Sequence, residues 1–150
     1  MLREFARRET SRLIAWTGAD GPVPAEPDVI GVEYRGRLGH ASSYGLLMAR
    51  AAATSGVQID LTATPVALSV PCDEATLGLT EPEYAEALRA AGRPLAGGLV
   101  ITGIGEGLYG SSALVFTRLV AVVSLLLATG LESVGEPDLW ATWDNASVLN

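Results

Sequence analysis

The 150-residue chain has the length of one ordinary domain, and it carries a net charge of −7 with ten arginines and no lysine. A hydrophobic content of 49% and a positive mean hydropathy exclude a disordered chain, and the acidic balance excludes broad, non-specific phosphate binding. Since Cys72 and His40 are the only cysteine and histidine, we expect no disulfide framework, no metal site and no cofactor.

The first 28 residues differ in character from the rest of the chain. Apolar residues recur there at roughly helical spacing among charges, at Leu2, Phe5, Leu13 and Trp16. This spacing predicts an amphipathic helix over residues 2–16. Three prolines and two glycines over 18–28 predict a linker. We therefore expect an N-terminal helix with its linker over 1–28 and one α+β domain over 29–150.

The next part of the chain has mainly strand patterns. The β-branched stretch 29–34 predicts a strand, and the polar, glycine-containing stretch 35–45 predicts a flexible loop. Alanines make 46–56 compatible with a helix, but its length and bounds favour a strand. Alternation over 57–70 predicts one long strand or two short ones, with Pro65 at a bulge or an edge.

The second half alternates helix and strand patterns. A proline near its start, acidic residues in its first turn and Gly92 at its end predict a helix over 79–92. A strand over 97–105 precedes a long helix over 111–129, capped by Ser111 or Ser112, and 132–144 reads as a short edge strand. The apolar run 113–127 is too short to span a bilayer, and with no signal peptide we expect a cytoplasmic protein.

The glycine-rich stretch between that strand and helix supports three interpretations. Gly105, Gly107 and Gly110 match the G-x-G-x-x-G dinucleotide fingerprint, but no second apolar strand follows at the distance that a Rossmann unit needs. The loop also resembles that of the small-metabolite (GHMP) kinases, where backbone N–H groups, here with Ser111 and Ser112, would clasp a phosphate. It also suits a tight turn before a capped helix.

Several motifs in order resemble domain IV of elongation factor G and of the tetracycline ribosomal-protection proteins. These are "VIGVEYRGRLGHASSYG" at 29–45, "LTEPEYAEAL" at 79–88 and "GEGLYGSSALVF" at 105–116 with the following helix and its "GEP" turn. The match covers about residues 29–142. It implies a two-layer α+β sandwich of the ribosomal protein domain 2 type: a mostly antiparallel four-stranded sheet, two helices on one face and a left-handed βαβ crossover.

In that family the tip loops of domain IV enter the ribosomal decoding region. The resemblance places the tip loops at 35–44 and 106–112, with Arg35, Arg37 and His40 facing RNA phosphates and Tyr109 stacking on a base. Tyr109 as a half-buried anchor and His40 as an ordinary exposed loop residue are the alternatives. The chain lacks a GTP-binding motif, and Gly110 stands where the elongation factor has a histidine.

The function expected from these features is that of a non-catalytic binding or assembly module, associated with the ribosome or RNA. The alternative is a small enzyme or ligand-binding protein that uses the 105–112 loop as an anion clasp, and a third is a structural partner protein. The apolar stripe of the N-terminal segment, together with Trp140 and Trp143 near the C-terminus, favours a homodimer.

Overall fold

The computed structural model describes residues 1–7, 10–38, 41–61, 66–70, 73–78, 81–93, 95 and 97–146. Within these residues the chain forms eight strands and three helices. The strands are β1 (Leu2–Arg7), β2 (Ser11–Trp16), β3 (Ile30–Leu38), β4 (Ala41–Ala52), β5 (Gly56–Ile59), β6 (Val66–Val70), β7 (Asp73–Leu77) and β8 (Gly98–Gly107). The helices are α1 (Pro82–Gly92), α2 (Ala113–Thr129) and α3 (Glu136–Asn145).

All eight strands belong to one sheet, in the order β1-β2-β3-β4-β8-β7-β6. Neighbours in this order are antiparallel. Strand β5 pairs in parallel with the first residues of β8, and β7 pairs with its last residues, so these two strands share one edge of β8. The predicted α+β class with an antiparallel sheet is confirmed. The predicted strand number of four is wrong, because two hairpins, β1–β2 and β6–β7, add strands to the sheet.

The predicted N-terminal helix is a β-hairpin. Strand β1 pairs with β2, and β2 pairs along its whole length with β3, so this segment extends the main sheet. The physical reason is a period of two: Leu13 and Ala15 are buried on one face, while Ile14 and Trp16 pack on the other. Pairing with β3 and burial on both faces outweigh the helical spacing that the sequence also contains.

Two further predictions need correction. The predicted flexible loop over 35–45 is mostly strand, because β3 and β4 form one long hairpin that stays in register as far as Leu38 and Ala41. The predicted edge strand over 132–144 is mostly helix α3 instead. Pro137 lies in the first turn of α3 beside two acidic residues, and Trp140 and Trp143 share the face that packs on the core.

Where one long strand or two short ones were predicted over 57–70, the structure has β5 and β6, and Pro65 lies outside the described residues. Four other predicted elements are confirmed. The stretch with mixed helix and strand character forms most of β4, and the predicted strand before the glycine loop is β8. Helix α1 begins at Pro82, and α2 is capped by Ser112, whose Oγ accepts a hydrogen bond from the N–H of Val115 at 3.3 Å. The end of α2 lies at Gly130, which has a φ of 93°.

The sheet carries a core on each face. The helix-side core joins the sheet to the helices through residues that include Phe5, Leu13, Val32, Tyr34, Leu47, Ile101, Phe116, Leu119, Val123 and Trp143. The loop-side core on the other face contains Trp16, Val29, Tyr44, Leu46, Met48, Ala75 and Leu77, with Val23 and Ala25 from the 17–29 connection packed against it. Trp140 and Trp143, which favoured a subunit contact in the sequence, are buried within their own chain.

Candidate functional site

The two segments predicted as tip loops lie side by side at one end of the sheet. The N–H of Tyr44 on β4 donates to the carbonyl of Gly110 at 3.0 Å. The Ser111 hydroxyl donates to the carbonyl of Tyr44 at 2.8 Å and accepts from the N–H of Gly107 at 2.8 Å. We call this region, formed by the end of the β3–β4 hairpin and the turn at 108–110, the tip. Its two halves are joined by a backbone hydrogen bond and by the Ser111 hydroxyl.

The turn at 108–110 presents two apolar side chains to solvent. Tyr109 is 84% exposed and Leu108 is 63% exposed. The backbone beneath them is held, because the N–H of Leu108 donates to the carbonyl of Glu74 on β7 at 2.6 Å. From the sequence, Tyr109 was either a base-stacking residue or a half-buried anchor. Its exposure excludes the role of a half-buried anchor.

Arg35 donates to a carboxylate of its own strand. Its Nε donates to Glu33 Oε1 at 2.9 Å, and the Tyr44 hydroxyl donates to Glu33 Oε2 at 2.7 Å. Glu33 is 2% exposed, so these two donors compensate a buried charge. The Nε of Arg35 is therefore already engaged by a buried carboxylate of the sheet. Arg37 lies two residues closer to the tip, with its backbone paired to Ser42, whereas His40 lies outside the described residues.

The glycine fingerprint has a packing role at its first position. Gly105 is a strand residue of β8 opposite Leu46, and a Cβ built on it would lie 2.7 Å from the Cβ of Leu46. The N–H groups of Gly107 and Val115 donate to Ser111 and Ser112 hydroxyls, and that of Leu108 donates to β7. Two N–H groups of this loop and one in the first turn of α2, which a phosphate clasp would use, thus already have acceptors within the chain.

A cleft of about 460 Å³ lies beside the same loop and is acidic. Its described lining includes four glutamates and no basic residue: Glu74, Glu81, Glu83 and Glu106, with Tyr84, Thr76, Gly107 and Leu108. Burial raises the pKa of the Tyr84 hydroxyl above its ordinary value, and the charges of Glu83, Glu106 and Glu81 raise it further. This negative potential opposes a bound phosphate, so the geometry does not favour the anion-clasp alternative.

We expect the raised pKa of Tyr84 to make the protein less stable in alkali. The folded chain holds this proton more tightly than the unfolded chain, whose tyrosines ionise near the ordinary value of 10.0. Stability from the protonated hydroxyl is therefore present below about pH 10 and is lost as the pH rises through the folded-state pKa. Urea unfolding at several pH values above 8 measures this loss, and no lysine titrates there.

The variant Tyr84→Phe provides the reference for that measurement. It lacks the titrating hydroxyl and also the hydrogen bond of 3.0 Å that the hydroxyl donates to the Ser111 carbonyl. We expect lower stability at neutral pH but a shallower decline in alkali. Equal slopes in the two proteins would show that Tyr84 titrates alike in the folded and unfolded states.

The described part of the chain lacks two other kinds of feature. It contains no group of three or more histidine, cysteine or acidic side chains arranged to hold a metal ion. None of its helices combines the length and the apolar character needed to cross a membrane. Cys72 lies outside the described residues.

Sequence reasoning missed two features of this region. Glu33 is a buried carboxylate, and its only sequence signal is one charge inside the apolar stretch 29–34. The acidic cleft combines residues of β7, α1 and β8, of which only the cluster around the start of α1 is contiguous in sequence. No protein-family model, curated protein or solved structure matches this chain.

Proposed function

We propose that the chain is a non-catalytic binding module that contacts RNA, and through it the ribosome, with its tip. The observation that carries the proposal is Tyr109, an aromatic side chain that is 84% exposed on a turn whose backbone is fixed by hydrogen bonds. An exposed aromatic ring is a stacking platform that accepts any unpaired base. Aromatic residues usually bury much of their surface, so an exposure of 84% is unusual for a tyrosine ring and leaves its face accessible to a base.

The tip is organised before any partner binds. The bonds from Leu108 to Glu74, from Tyr44 to Gly110 and from Gly107 to Ser111 hold the turn between two strands. A base that stacks on Tyr109 therefore does not have to order the backbone, which reduces the entropic cost of binding. The bond from Tyr44 to Gly110 also joins the 108–110 turn to the β3–β4 hairpin, which contains Arg37.

The acidic cleft gives the proposed contact a direction. The four glutamates lie on the β7 and α1 side of the turn, where they repel phosphates. We propose that the RNA backbone runs on the opposite side, along the end of the β3–β4 hairpin, with Arg37 and His40 near its phosphates. Arg35 is not part of this contact, because its guanidinium compensates Glu33.

The likeness to domain IV of elongation factor G belongs to the same proposal. The family's two-layer sandwich with a left-handed βαβ crossover requires parallel strands on either side of a helix. Strands β5 and β8 pair in parallel, and α1 lies between them in sequence. The apolar residues of all three helices join one core on one face of the sheet. These features support the architecture, and the handedness of the crossover remains a prediction.

Replacement of Tyr109 by alanine tests the function. Loss of one base–aromatic stack of about 1–3 kcal/mol should weaken RNA binding by roughly 5- to 150-fold. Co-sedimentation with ribosomes and titration of a fluorescent single-stranded RNA, both over a salt series, measure the change. Tyr109→Phe keeps the ring, so we expect it to bind nearly as well as the natural protein.

Two further variants serve as controls. Leu108→Ala removes the neighbouring exposed side chain, which has no aromatic face, and should change the affinity little. Arg37→Ala should reduce the slope of log affinity against log salt concentration by about 1, the effect of losing one phosphate contact. Absence of ribosome and RNA binding by the natural protein at low salt would refute the proposal. So would equal losses for the alanine variants of Leu108 and Tyr109.

A further inference from the structure

Among the described residues, three buried N–H donors on the last two helices have no acceptor. They are Nε of Arg118 on α2 and Nε1 of Trp140 and Trp143 on α3. The third tryptophan shows the usual arrangement, since Nε1 of Trp16 donates to the carbonyl of Val23 at 2.8 Å. Trp143 is 0% exposed and Trp140 is 6% exposed, so solvent does not freely reach these indole groups.

The three donors belong to one cluster. The Arg118 guanidinium carbon lies 5.6 Å from the centre of the Trp143 ring, and the two indoles meet edge to face with centroids 6.4 Å apart. Tyr34 of β3 stacks on Trp143 at 4.1 Å, which fixes that indole in place. The side chains that carry the three unpaired donors are therefore grouped around the Trp143 ring.

The nearest carboxylate in sequence pairs with a different arginine. Asp144 follows Trp143 directly, but its carboxylate pairs with Arg7 at 2.5 Å, and that guanidinium lies over the Trp140 ring at 4.4 Å. Arg3 donates to the carbonyls of Leu131 and Val134. Arg118 differs from these arginines because its charge rests against an aromatic ring without an acceptor at Nε.

We propose that Arg118, Trp140 and Trp143 form a binding site for a small oxyanion, a carboxylate or a phosphate. Guanidinium and indole N–H groups can only donate, so the group that satisfies them must be rich in acceptors. Buried donors without partners are destabilising, and native proteins rarely retain them. A guanidinium that is partly removed from water also binds an anion more strongly than an exposed one. This site is separate from the tip and does not depend on the function proposed for it.

The three tryptophans make a direct test by nitrogen-15 NMR of the whole chain. Acetate and inorganic phosphate are titrated separately, with sodium chloride at equal ionic strength as the reference. We expect the indole N–H signals of Trp140 and Trp143 to move downfield and saturate with one of these anions. The Trp16 signal should stay in place, because that indole already has an acceptor. The effective anion identifies the class of oxyanion.

Arg118→Met tests the charge, and Arg118→Lys provides a second variant that keeps it. We expect the methionine variant to bind the effective anion at least tenfold more weakly and the lysine variant to lie between it and the natural protein. The natural protein alone can overturn the proposal. It would do so if its indole signals did not saturate with either anion, or if they moved no more than in sodium chloride. Undiminished affinity of a folded Arg118→Met would overturn it as well.

Discussion

Replacement of Phe5 by alanine should lower the free energy of unfolding by about 3–5 kcal/mol, the usual effect of removing a buried phenylalanine side chain. Phe5 lies on β1 and is 1% exposed in the helix-side core. A domain of this size has a total stability of about 5–15 kcal/mol, so one change near the N-terminus should remove a large part of it. Urea unfolding followed by tryptophan fluorescence and by circular dichroism measures the effect.

The same strand supplies the control. Leu2 is 42% exposed, and Leu2→Ala should change the free energy of unfolding by no more than about 0.5 kcal/mol. The two optical probes should report one transition in both variants, because β2 joins β1 to the rest of the sheet. If Phe5→Ala lost less than about 1 kcal/mol, the hairpin would be an appendage to the core.

Side-chain contacts give a second reason to expect a large effect. Arg3 Nη1 donates to the carbonyls of Leu131 and Val134 at 2.7 and 2.8 Å, between α2 and α3. Arg7 pairs with Asp144 on α3. The N-terminal arginines therefore hold the turn between the helices and the last helix against the hairpin, in addition to giving the segment its basic charge.

The elements that the sequence predicted well have local signals. Helices α1 and α2 carry a proline or a capping serine at their starts, and the strand before the glycine loop is largely apolar and mostly buried. Helix α3 has comparable signals in Pro137 and its acidic first turn. The prediction of a strand over 132–144 gave these helix signals too little weight. The spacing of Trp140 and Trp143, three residues apart, also fits one face of a helix.

The N-terminal hairpin could not be predicted in this way. Leu2, Phe5, Leu13 and Trp16 fit a helical period, and the alternation that the structure uses is visible only in the second half of the segment. Its choice of strand depends on β3, which lies fifteen or more residues away in sequence. Long-range pairing of this kind has no signal in the local sequence. For the same reason, the pairing of β5 and β7 with one edge of β8 could not be predicted.

The features of the candidate site also fall into those set by neighbouring residues and those set by long-range contacts. The turn at 108–110 and the serine cap of α2 follow from neighbouring residues and were predicted from them. The pairing of Arg35 with Glu33 depends on which face of β3 becomes buried, and the acidic cleft depends on three elements that meet only in the fold. The exposure of Tyr109 likewise depends on the positions of the first residues of β4 and β7 on either side of it.

Replacement of Gly98 by alanine should have a comparable effect, a loss of about 3 kcal/mol or more. Gly98 is the first residue of β8 and lies in register with both Ala52 of β4 and Gly56 of β5. The connection between those strands therefore crosses the start of β8. A Cβ at Gly98 would lie 1.7 Å from the carbonyl oxygen of Thr54 and 2.7 Å from its carbon. Both atoms are backbone, so no change of rotamer can make room.

The neighbouring glycine gives a matched comparison within one residue. A Cβ at Gly97 would meet no atom within 4 Å, and its φ does not require glycine. Gly97→Ala should therefore be neutral or stabilise the fold by about 0.4–1 kcal/mol, because alanine restricts the unfolded chain. Urea unfolding of the two variants separates the clash with the Thr54 backbone from the general effect of an added methyl group. Equal stabilities would mean that the β4–β5 connection does not lie over β8, and the parallel pairing of β5 would then have to be abandoned.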